Sequence, residues 1–240
     1  IVGSGIVGSA CALELRRRNP DAKIVILERS YLPLGASTKN AGFACFGSVT
    51  ELLDDLENVP EERVWNTVKL RYEGLERLLQ RFSAADLNYE NCGSYDLISD
   101  QEELAVYHPK LDYLNQQIEF ITGKKDCYSF EKNVNEKFGF KGFEGGYFNR
   151  LEGAIDTGKL LQETQKDLAK NGIIVLNGIE VLQTIESEDV IEHITIIRIG
   201  NAAKKFDAVK IFKKYYAVQA KVQKEWEAKT KVIRENKANT

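Results

Sequence analysis

The residues of this 240-residue chain that could do chemistry lie near its start. Three glycines, Gly3, Gly5 and Gly8, have the spacing of a turn that leaves a strand and enters a helix. Gly3 permits the sharp turn, Gly5 lets the backbone approach a pyrophosphate, and Gly8 lets the following helix lie close to the sheet. A helix N-terminus also attracts phosphate through its N–H groups and its dipole. The spacing therefore predicts a phosphate-binding turn.

A carboxylate follows at the place where a dinucleotide site needs one. Glu28 ends the largely β-branched run from Lys23 to Leu27, twenty residues after Gly8. There it can accept hydrogen bonds from a ribose diol. Strand, glycine turn, helix, strand and acid thus occur in the order of a dinucleotide-binding βαβ unit. Glu28 fits NAD and FAD equally, and a glycine-rich turn in a plain βαβ unit is the alternative without a ligand.

A third segment discriminates between these cofactors. Residues 37–42 read Ser-Thr-Lys-Asn-Ala-Gly and follow Glu28 closely. The segment resembles the Ser-x-x-Asn-Ala-Gly motif of the glycine and D-amino-acid oxidases, the DAO family of flavoenzymes. In that family the motif lies along the FAD pyrophosphate and approaches the flavin ring. Small residues, hydroxyls and glycine also form a backbone that can crowd an anion and donate to it.

The resemblance implies that the cofactor is FAD. The cofactor-binding residues it implies are Gly3, Gly5, Gly8, Glu28, Arg29, Ser37, Thr38, Asn40, Ala41, Gly42 and Val181. The family role that falls on Val181 is recognition of the adenine edge by the backbone, and an ordinary strand valine is the alternative. No catalytic residue is assigned, because the family's carboxylate clamp lies largely beyond the part that this chain resembles. No metal site is expected.

The resemblance also implies the fold class. It is an α/β fold in which a Rossmann-like FAD-binding domain carries an inserted α+β substrate domain. The predicted bounds are 1–85 for the first part of the FAD-binding domain, 86–150 for a partial substrate domain and 151–200 for the return segment. Only two residues precede Gly3, and the family's later segments are not found after residue 200. We therefore expect the chain to be a truncated member of the family.

Sequence patterns predict the elements that position these residues. An apolar stripe predicts one amphipathic helix from Glu61 to Arg81. Another helix is expected from Gln101 to Gln117, interrupted where His108 precedes a proline and is biased towards an extended or turn conformation. A third begins at Asp156 or Thr157, which can cap it, and runs to about Leu168.

Strands are predicted from alternating or β-branched runs. Two short strands are expected on either side of Gly93, and glycines alternate with aromatic residues in a strand-and-turn pattern further on. The predicted strand segments are Leu87–Cys92, Ser94–Ile98, Ile173–Leu176 and 190–199, and the strand-and-turn pattern covers residues 138–148.

The last 40 residues differ from the rest. Residues 203–240 contain eleven Lys or Arg and four Asp or Glu, a net charge of +7 in a chain whose net charge is −3. Apolar residues at helical spacing predict a basic amphipathic helix in a C-terminal extension, residues 201–240. These residues are Tyr215, Val218, Val222, Trp226 and Ile233. The helix is either a solvated C-terminal helix or a docking element, at residues 205–235, for a partner, an anionic membrane or nucleic acid.

Taken together, these features predict a function. The resemblance implies an FAD-dependent oxidoreductase that oxidises the C–N bond of a small amino acid or amine, such as glycine, sarcosine or a D-amino acid, by hydride transfer to flavin. The alternatives are a truncated, non-catalytic protein that binds FAD or a partner, and an NAD-dependent enzyme. Four scattered cysteines predict reduced thiols and a cytoplasmic protein. The net charge gives no reason to expect nucleic-acid binding, and no apolar stretch is long enough for a transmembrane segment.

Overall fold

The computed structural model describes residues 1–186, 191–199 and 202–207. In chain order the helices are α1 (Ile6–Arg18), α2 (Val49–Asn58), α3 (Glu61–Arg81), α4 (Ala84–Leu87), α5 (Gln101–Tyr107), α6 (Leu111–Thr122), α7 (Val134–Phe138) and α8 (Thr157–Lys170). The strands are β1 (Val25–Glu28), β2 (Phe43–Ala44), β3 (Ser94–Ile98), β4 (Tyr128–Glu131), β5 (Gly145–Asn149), β6 (Gly153–Ala154), β7 (Ile174–Asn177), β8 (Gln183–Glu186), β9 (Ile191–Ile199) and β10 (Ala202–Asp207). This mixture of helices and sheets confirms the predicted α/β class.

Contacts within the chain define two compact units. The first unit contains Ile1–Gly35 together with the described residues from Asp167 onwards, and the second unit contains Ala36–Lys166. The domain bounds expected from the sequence stay a prediction.

The first unit contains the predicted βαβ opening. Strands β1 and β7 pair in parallel, from Val25 with Ile174 to Glu28 with Asn177, and Val2 forms a parallel bridge with Leu27. Helix α1 buries one narrow face of mainly small residues, which lets it lie close to the strands. The core residues of this unit are Ala12, Leu13, Ile24, Ile26, Leu168 and Ile173.

The first unit also contains an antiparallel meander in the order β8, β9, β10. Strand β9 confirms the strand predicted at residues 190–199. Strand β10 shows that the prediction of a helical extension from residue 201 is wrong at its start, because Ala202–Asp207 pairs with β9. The basic composition concealed a hairpin signal, since the dipeptide Gly-Asn stands between the two strands in the sequence. The apolar positions from Tyr215 to Ile233 lie outside the described residues.

The second unit is built on a three-stranded antiparallel sheet in the order β3, β5, β4. Helix α3 has the predicted bounds, and it buries Val64, Val68 and Tyr72 at intervals of four residues. The ring of Tyr72 meets the ring of Phe46 edge to face, with 5.5 Å between the centroids. The core residues of this unit are Phe46, Val49, Leu52, Leu53, Val64, Val68, Tyr72, Ile98, Leu114, Ile118, Cys127, Tyr128 and Tyr147.

One strand prediction in the second unit is wrong. The segment before Gly93 is not a strand: α4 ends at Leu87, and the pairing that follows is a single bridge from Glu90 to Ala154. A capping box at Ser83 starts this helix, and Asn88 ends it in the left-handed conformation, which a strand does not contain. The strand-and-turn pattern predicted at residues 138–148 is confirmed, because the chain turns at Gly139 and Gly142, where φ is positive, and forms a strand from Gly145.

The interruption at His108 is confirmed, but its conformation differs from the expectation. The one-turn 3-10 helix His108–Lys110 joins α5 to α6, and His108 is helical, with φ −58° and ψ −40°. Pro109 lies at the start of this turn, where a backbone N–H is not needed.

A buried tyrosine allows a first test of the core. The Tyr147 side chain is 1% exposed, and its hydroxyl has no hydrogen-bond partner among the described residues. A buried hydroxyl without a partner carries a desolvation cost. Tyr147→Phe is therefore expected to leave the free energy of unfolding unchanged or to raise it by about 1 kcal/mol, measured by urea denaturation.

The matched control is Tyr128→Phe in the same sheet. The Tyr128 hydroxyl donates to the Gly47 carbonyl at 2.8 Å, so its removal leaves a buried acceptor unpaired and should lower the free energy of unfolding by roughly 1 to 2 kcal/mol. Equal losses in the two variants would contradict the assignment of Tyr147 as unsatisfied.

Candidate functional site

The glycine turn in the first unit has the close backbone contacts that its spacing predicts. Gly3 has a φ of +86°, and its N–H donates to the Leu27 carbonyl at 2.8 Å. A Cβ atom added to Gly8 would lie 2.0 Å from the Gly3 carbonyl oxygen. No other residue type fits there without moving the backbone. Gly8 is therefore needed for its close contact with Gly3, the first glycine of the motif, as well as for the packing of the helix that follows.

Helix α1 begins inside the glycine motif. Its N-cap is Gly5, which provides no side-chain cap, and its first turn contains no acidic residue. The N–H of Ser9 donates to the Gly5 carbonyl at 3.0 Å, which opens the helical ladder. The donors of a helix's first turn point out of its N-terminus and suit an anion.

Two fully buried serines brace this turn. The hydroxyl of Ser9 donates to the Ser4 carbonyl at 3.0 Å. Ser4 in turn directs both its N–H and its hydroxyl at the Glu28 carboxylate. Sequence reasoning missed both serines. The signal was available for Ser4, since it is the small polar residue between the first two glycines.

Glu28 is the most constrained group of the site. It is 7% exposed, and its Oε2 atom accepts the Ser4 N–H at 2.9 Å and the Ser4 hydroxyl at 3.0 Å. Its Oε1 atom accepts the Ser30 N–H at 3.0 Å. A carboxylate has about four acceptor positions, so roughly one remains for a further donor such as a ribose hydroxyl.

The same contacts control the ionisation of Glu28. Burial by itself would raise the pKa of this carboxyl, but the hydrogen bonds from Ser4 and Ser30 outweigh burial. Arg29 adds a smaller favourable charge, and the pKa lies below its ordinary value of 4.5. Glu28 is therefore an anion at neutral pH, and it can only accept hydrogen bonds.

The chain returns to this edge after β7. The N–H of Ile179 donates to the Glu28 carbonyl at 2.8 Å, and the N–H of Gly178 donates to the Ser30 carbonyl at 3.1 Å. Val181 follows two residues later and is half-buried. The first unit thus brings Gly3, Gly5, Gly8, Glu28 and the segment that leads to Val181 to one end of β1. Arg29, also at this end, is exposed.

The remaining predicted residues lie in a turn of the second unit. Asn40 shapes this turn: its amide donates to the Ala36 carbonyl and its carbonyl oxygen accepts the Gly42 N–H, both at 2.9 Å. Gly42 has a φ of +75°, and a Cβ there would lie 2.2 Å from the Ile155 carbonyl oxygen. Ser37 and Thr38 are half-buried, while Asn40 and Ala41 are exposed. The contribution of these residues to cofactor binding stays a prediction.

No group of three or more His, Cys, Asp or Glu side chains among the described residues is arranged to hold a metal ion. Within the same residues, every helix is too short or too polar to cross a membrane.

The fold and this site define the class of protein, which is an α/β protein with a dinucleotide-binding βαβ opening. The model of the family described as FAD dependent oxidoreductase matches residues 1–210. The chain belongs to this family, the DAO family, and the predicted family and its cofactor FAD are confirmed. The match extends ten residues beyond residue 200, where the resemblance was expected to end.

A curated relative and several solved structures resemble the chain. The relative is mitochondrial L-2-hydroxyglutarate dehydrogenase from Dictyostelium discoideum, 29% identical over 140 residues, which make up 56% of this chain and 29% of that protein. Glycine oxidase from Bacillus cereus ATCC 14579 has a TM-score of 0.56 at 18% identity, over 86% of this chain and 53% of that chain. L-α-glycerophosphate oxidase from Mycoplasma pneumoniae, with FAD bound, has a TM-score of 0.57 at 16% identity, over 85% and 50%.

These comparisons differ in what they establish. At such low identity the solved structures show a shared fold and nothing finer. The chain spans 29% of the curated relative and about half of the two oxidases.

The hydrogen bonds to Glu28 predict a pH-dependent contribution to stability. Glu28→Gln should lower the free energy of unfolding at pH 7 by roughly 1 to 3 kcal/mol, because hydrogen bonds to a charged acceptor are lost. The folded-state pKa is depressed, so this stabilisation is present above the ordinary value and is lost as the pH falls through the folded-state pKa. Urea denaturation at pH 7 and at about pH 3 measures the difference, which should shrink at the lower pH.

The control for this test is Asp21→Asn, which removes an exposed carboxylate from the same unit. It should change the free energy of unfolding by less than about 0.5 kcal/mol at either pH. A Glu28→Gln effect that is the same at both pH values would contradict the ionic role of Glu28.

Proposed function

We propose that this chain binds FAD and serves the oxidation of the C–N bond of a small amino acid or amine, of the glycine, sarcosine or D-amino-acid type. The observation that carries the proposal is the Glu28 carboxylate, which is fixed against the glycine turn and retains about one acceptor position. This arrangement matches the needs of a ribose hydroxyl beside a pyrophosphate.

Different residues of the first unit bind different parts of the nucleotide. Glu28 accepts a hydrogen bond from the ribose, and the uncapped N-terminus of α1 donates to phosphate. Gly5 keeps this approach free of side-chain atoms. The backbone at Val181 recognises the adenine edge.

The segment Ser37–Gly42 supplies the contacts to the rest of the cofactor. Asn40 fixes the turn from within, so the backbone of the exposed residues around it is held ready to donate. When bound, FAD supplies the hydride acceptor for the oxidation. The protein's part is to orient the substrate and to exclude competing reactions.

The relatives support two substrate classes. An amino acid is favoured by the likeness to glycine oxidase, and a 2-hydroxy acid is favoured by the relative named L-2-hydroxyglutarate dehydrogenase. In both, the carbon that loses the hydride carries a carboxylate. A protein that binds FAD without oxidising a substrate is the remaining alternative.

FAD binding tests the site residues. Glu28→Ala should weaken FAD binding by about 10- to 100-fold, because a hydrogen bond to a charged acceptor is lost. Gly5→Val should weaken it at least as much, because its side chain blocks the pyrophosphate. Titration of the purified chain with FAD, followed by flavin absorbance and fluorescence, gives the dissociation constants.

Matched controls use the same changes elsewhere. Gly74→Val lies on an exposed part of α3 with open space around it, and Asp21→Ala removes an exposed carboxylate; neither should change the affinity. Wild-type affinity in both Gly5→Val and Glu28→Ala would show that the assigned residues are wrong.

A substrate panel tests the reaction. Without oxygen, the flavin band of the FAD-loaded chain is expected to bleach with one of glycine, sarcosine, proline or a D-amino acid. Bleaching with 2-hydroxyglutarate alone would show that the substrate is a 2-hydroxy acid and not an amine. Bleaching with none of these compounds would favour a protein that binds FAD without oxidising a substrate. A chain that shows no flavin band after FAD is added would contradict the proposal at its first step.

A further inference from the structure

Glu152 is a second buried carboxylate, and the predicted cofactor site does not use it. It is 2% exposed, and its Oε1 atom accepts the N–H groups of Phe46 and Gly47 at 2.8 and 3.0 Å. Its Oε2 atom accepts the Ser94 hydroxyl at 2.5 Å. All four residues belong to the second unit. The two backbone donors follow Gly42, the last residue of the predicted FAD segment Ser37–Gly42, by four and five residues.

The residues that follow Glu152 pair with Gly42–Ala44, which stand shortly before Phe46 and Gly47 in the chain. The N–H of Ile155 donates to the Gly42 carbonyl at 2.8 Å. Strand β6 then pairs with β2, Ala154 with Phe43 and Gly153 with Ala44. Residues 152–155 therefore fix Gly42–Gly47 continuously, first through backbone pairing and then through the Glu152 side chain.

The side chain takes over where the backbone ladder ends. The Glu152 carbonyl oxygen accepts the Gly93 N–H at 2.9 Å and so is directed away from β2. Phe46 and Gly47 are both buried, and buried N–H groups need acceptors. The Glu152 carboxylate provides the acceptor for both.

The fixed segment presents alternate side chains to opposite sides. Ala44 and Phe46 are buried, whereas Phe43 is 74% exposed and Cys45 is exposed. This alternation is that of an extended strand. A segment held at both ends thus displays Phe43 and Cys45 in one conformation.

We propose that Glu152 is a positioning residue for the cofactor site: its carboxylate fixes Gly42–Gly47 so that the predicted FAD segment and the exposed side of Phe43 and Cys45 hold the flavin end of FAD. The proposal rests on the proposed function. It assigns to Glu152 an effect on FAD affinity and on the flavin environment, exerted through the backbone of Phe46 and Gly47.

Two substitutions separate this role from mere stabilisation. Glu152→Ala removes the acceptor. Glu152→Gln keeps a carbonyl oxygen for the two N–H groups, and its amide can donate to the Ser94 hydroxyl. Glu152→Ala should weaken FAD binding by about tenfold or more, since small misplacements of a site are costly. It should also alter the absorbance maximum of bound flavin. Glu152→Gln should restore both to near wild type.

The control is Asp96→Ala in the neighbouring strand β3. Its carboxylate accepts the Thr50 N–H at 2.9 Å in the first turn of α2, so it stabilises the unit through a residue outside Gly42–Gly47. It should lower the denaturation midpoint and leave the FAD affinity and flavin spectrum unchanged. If Glu152→Ala does the same, Glu152 is only structural and the proposal is wrong.

Hydrogen exchange tests the proposal without cofactor. The amides of Phe46 and Gly47 should exchange slowly in the wild-type chain and in Glu152→Gln, and at least about tenfold faster in Glu152→Ala, because the acceptor is lost. Unchanged protection in Glu152→Ala would overturn the proposal whatever the FAD titration gives. A wild-type chain that binds no FAD but shows the expected exchange pattern would overturn the proposed function and the effect on FAD, while the fixing of the segment by Glu152 would stand.

A milder variant keeps the test decisive if Glu152→Ala does not fold. Ser94→Ala removes only the hydroxyl that holds Oε2. It should shift the exchange rates and the FAD affinity in the same direction and by less. No change in either measurement would contradict the proposal.

Discussion

A buried carboxylate that accepts backbone N–H groups is the interaction on which each unit of this chain depends. In the first unit Glu28 accepts from Ser4 and Ser30, and in the second unit Glu152 accepts from Phe46 and Gly47. In both places the carboxylate takes the part of a backbone carbonyl as the acceptor of a buried N–H group. Burying a charge is expensive, and only several donors on one carboxylate make it tolerable. The buried N–H groups therefore need the carboxylates as acceptors, and the carboxylates need these donors in order to be buried.

The residue type at each turn follows from the groups that need partners. Around Glu28 and Glu152 the neighbours that must be paired are donors, and an ionised carboxylate accepts only. In the turn Ser37–Gly42 the side chain of Asn40 pairs one donor and one acceptor, the Gly42 N–H and the Ala36 carbonyl, which also accepts the Lys39 N–H. Asn40 can do both because its amide carries a donor and an acceptor on one rigid group. The asparagine of the family motif thus has a local conformational role that is independent of any ligand contact.

Local signals were sufficient for much of the fold. Helix α3 was predicted at its observed bounds because a one-sided apolar stripe starts directly after Pro60. The glycine turn and Glu28 were found because their roles are fixed by spacing within one βαβ unit. Ser9 and Glu152 were not found, since each bonds to backbone rather than to a motif partner. For Glu152 that backbone lies 106 and 105 residues away in the sequence. The strand β10 was missed because composition was weighed above a two-residue hairpin signal.

The geometry at the glycine turn also sets the direction in which a nucleotide can bind. Glu28 is ionised at neutral pH and takes both donors of Ser4. A phosphate at the same place would meet a like charge and find these donors occupied. We therefore propose that the phosphate lies at the N-terminus of α1, where no acidic side chain stands in the first turn. The ligand atom that approaches Glu28 must in turn be a donor, as a ribose hydroxyl is. In this proposal one carboxylate separates the sugar end of the cofactor from its phosphates.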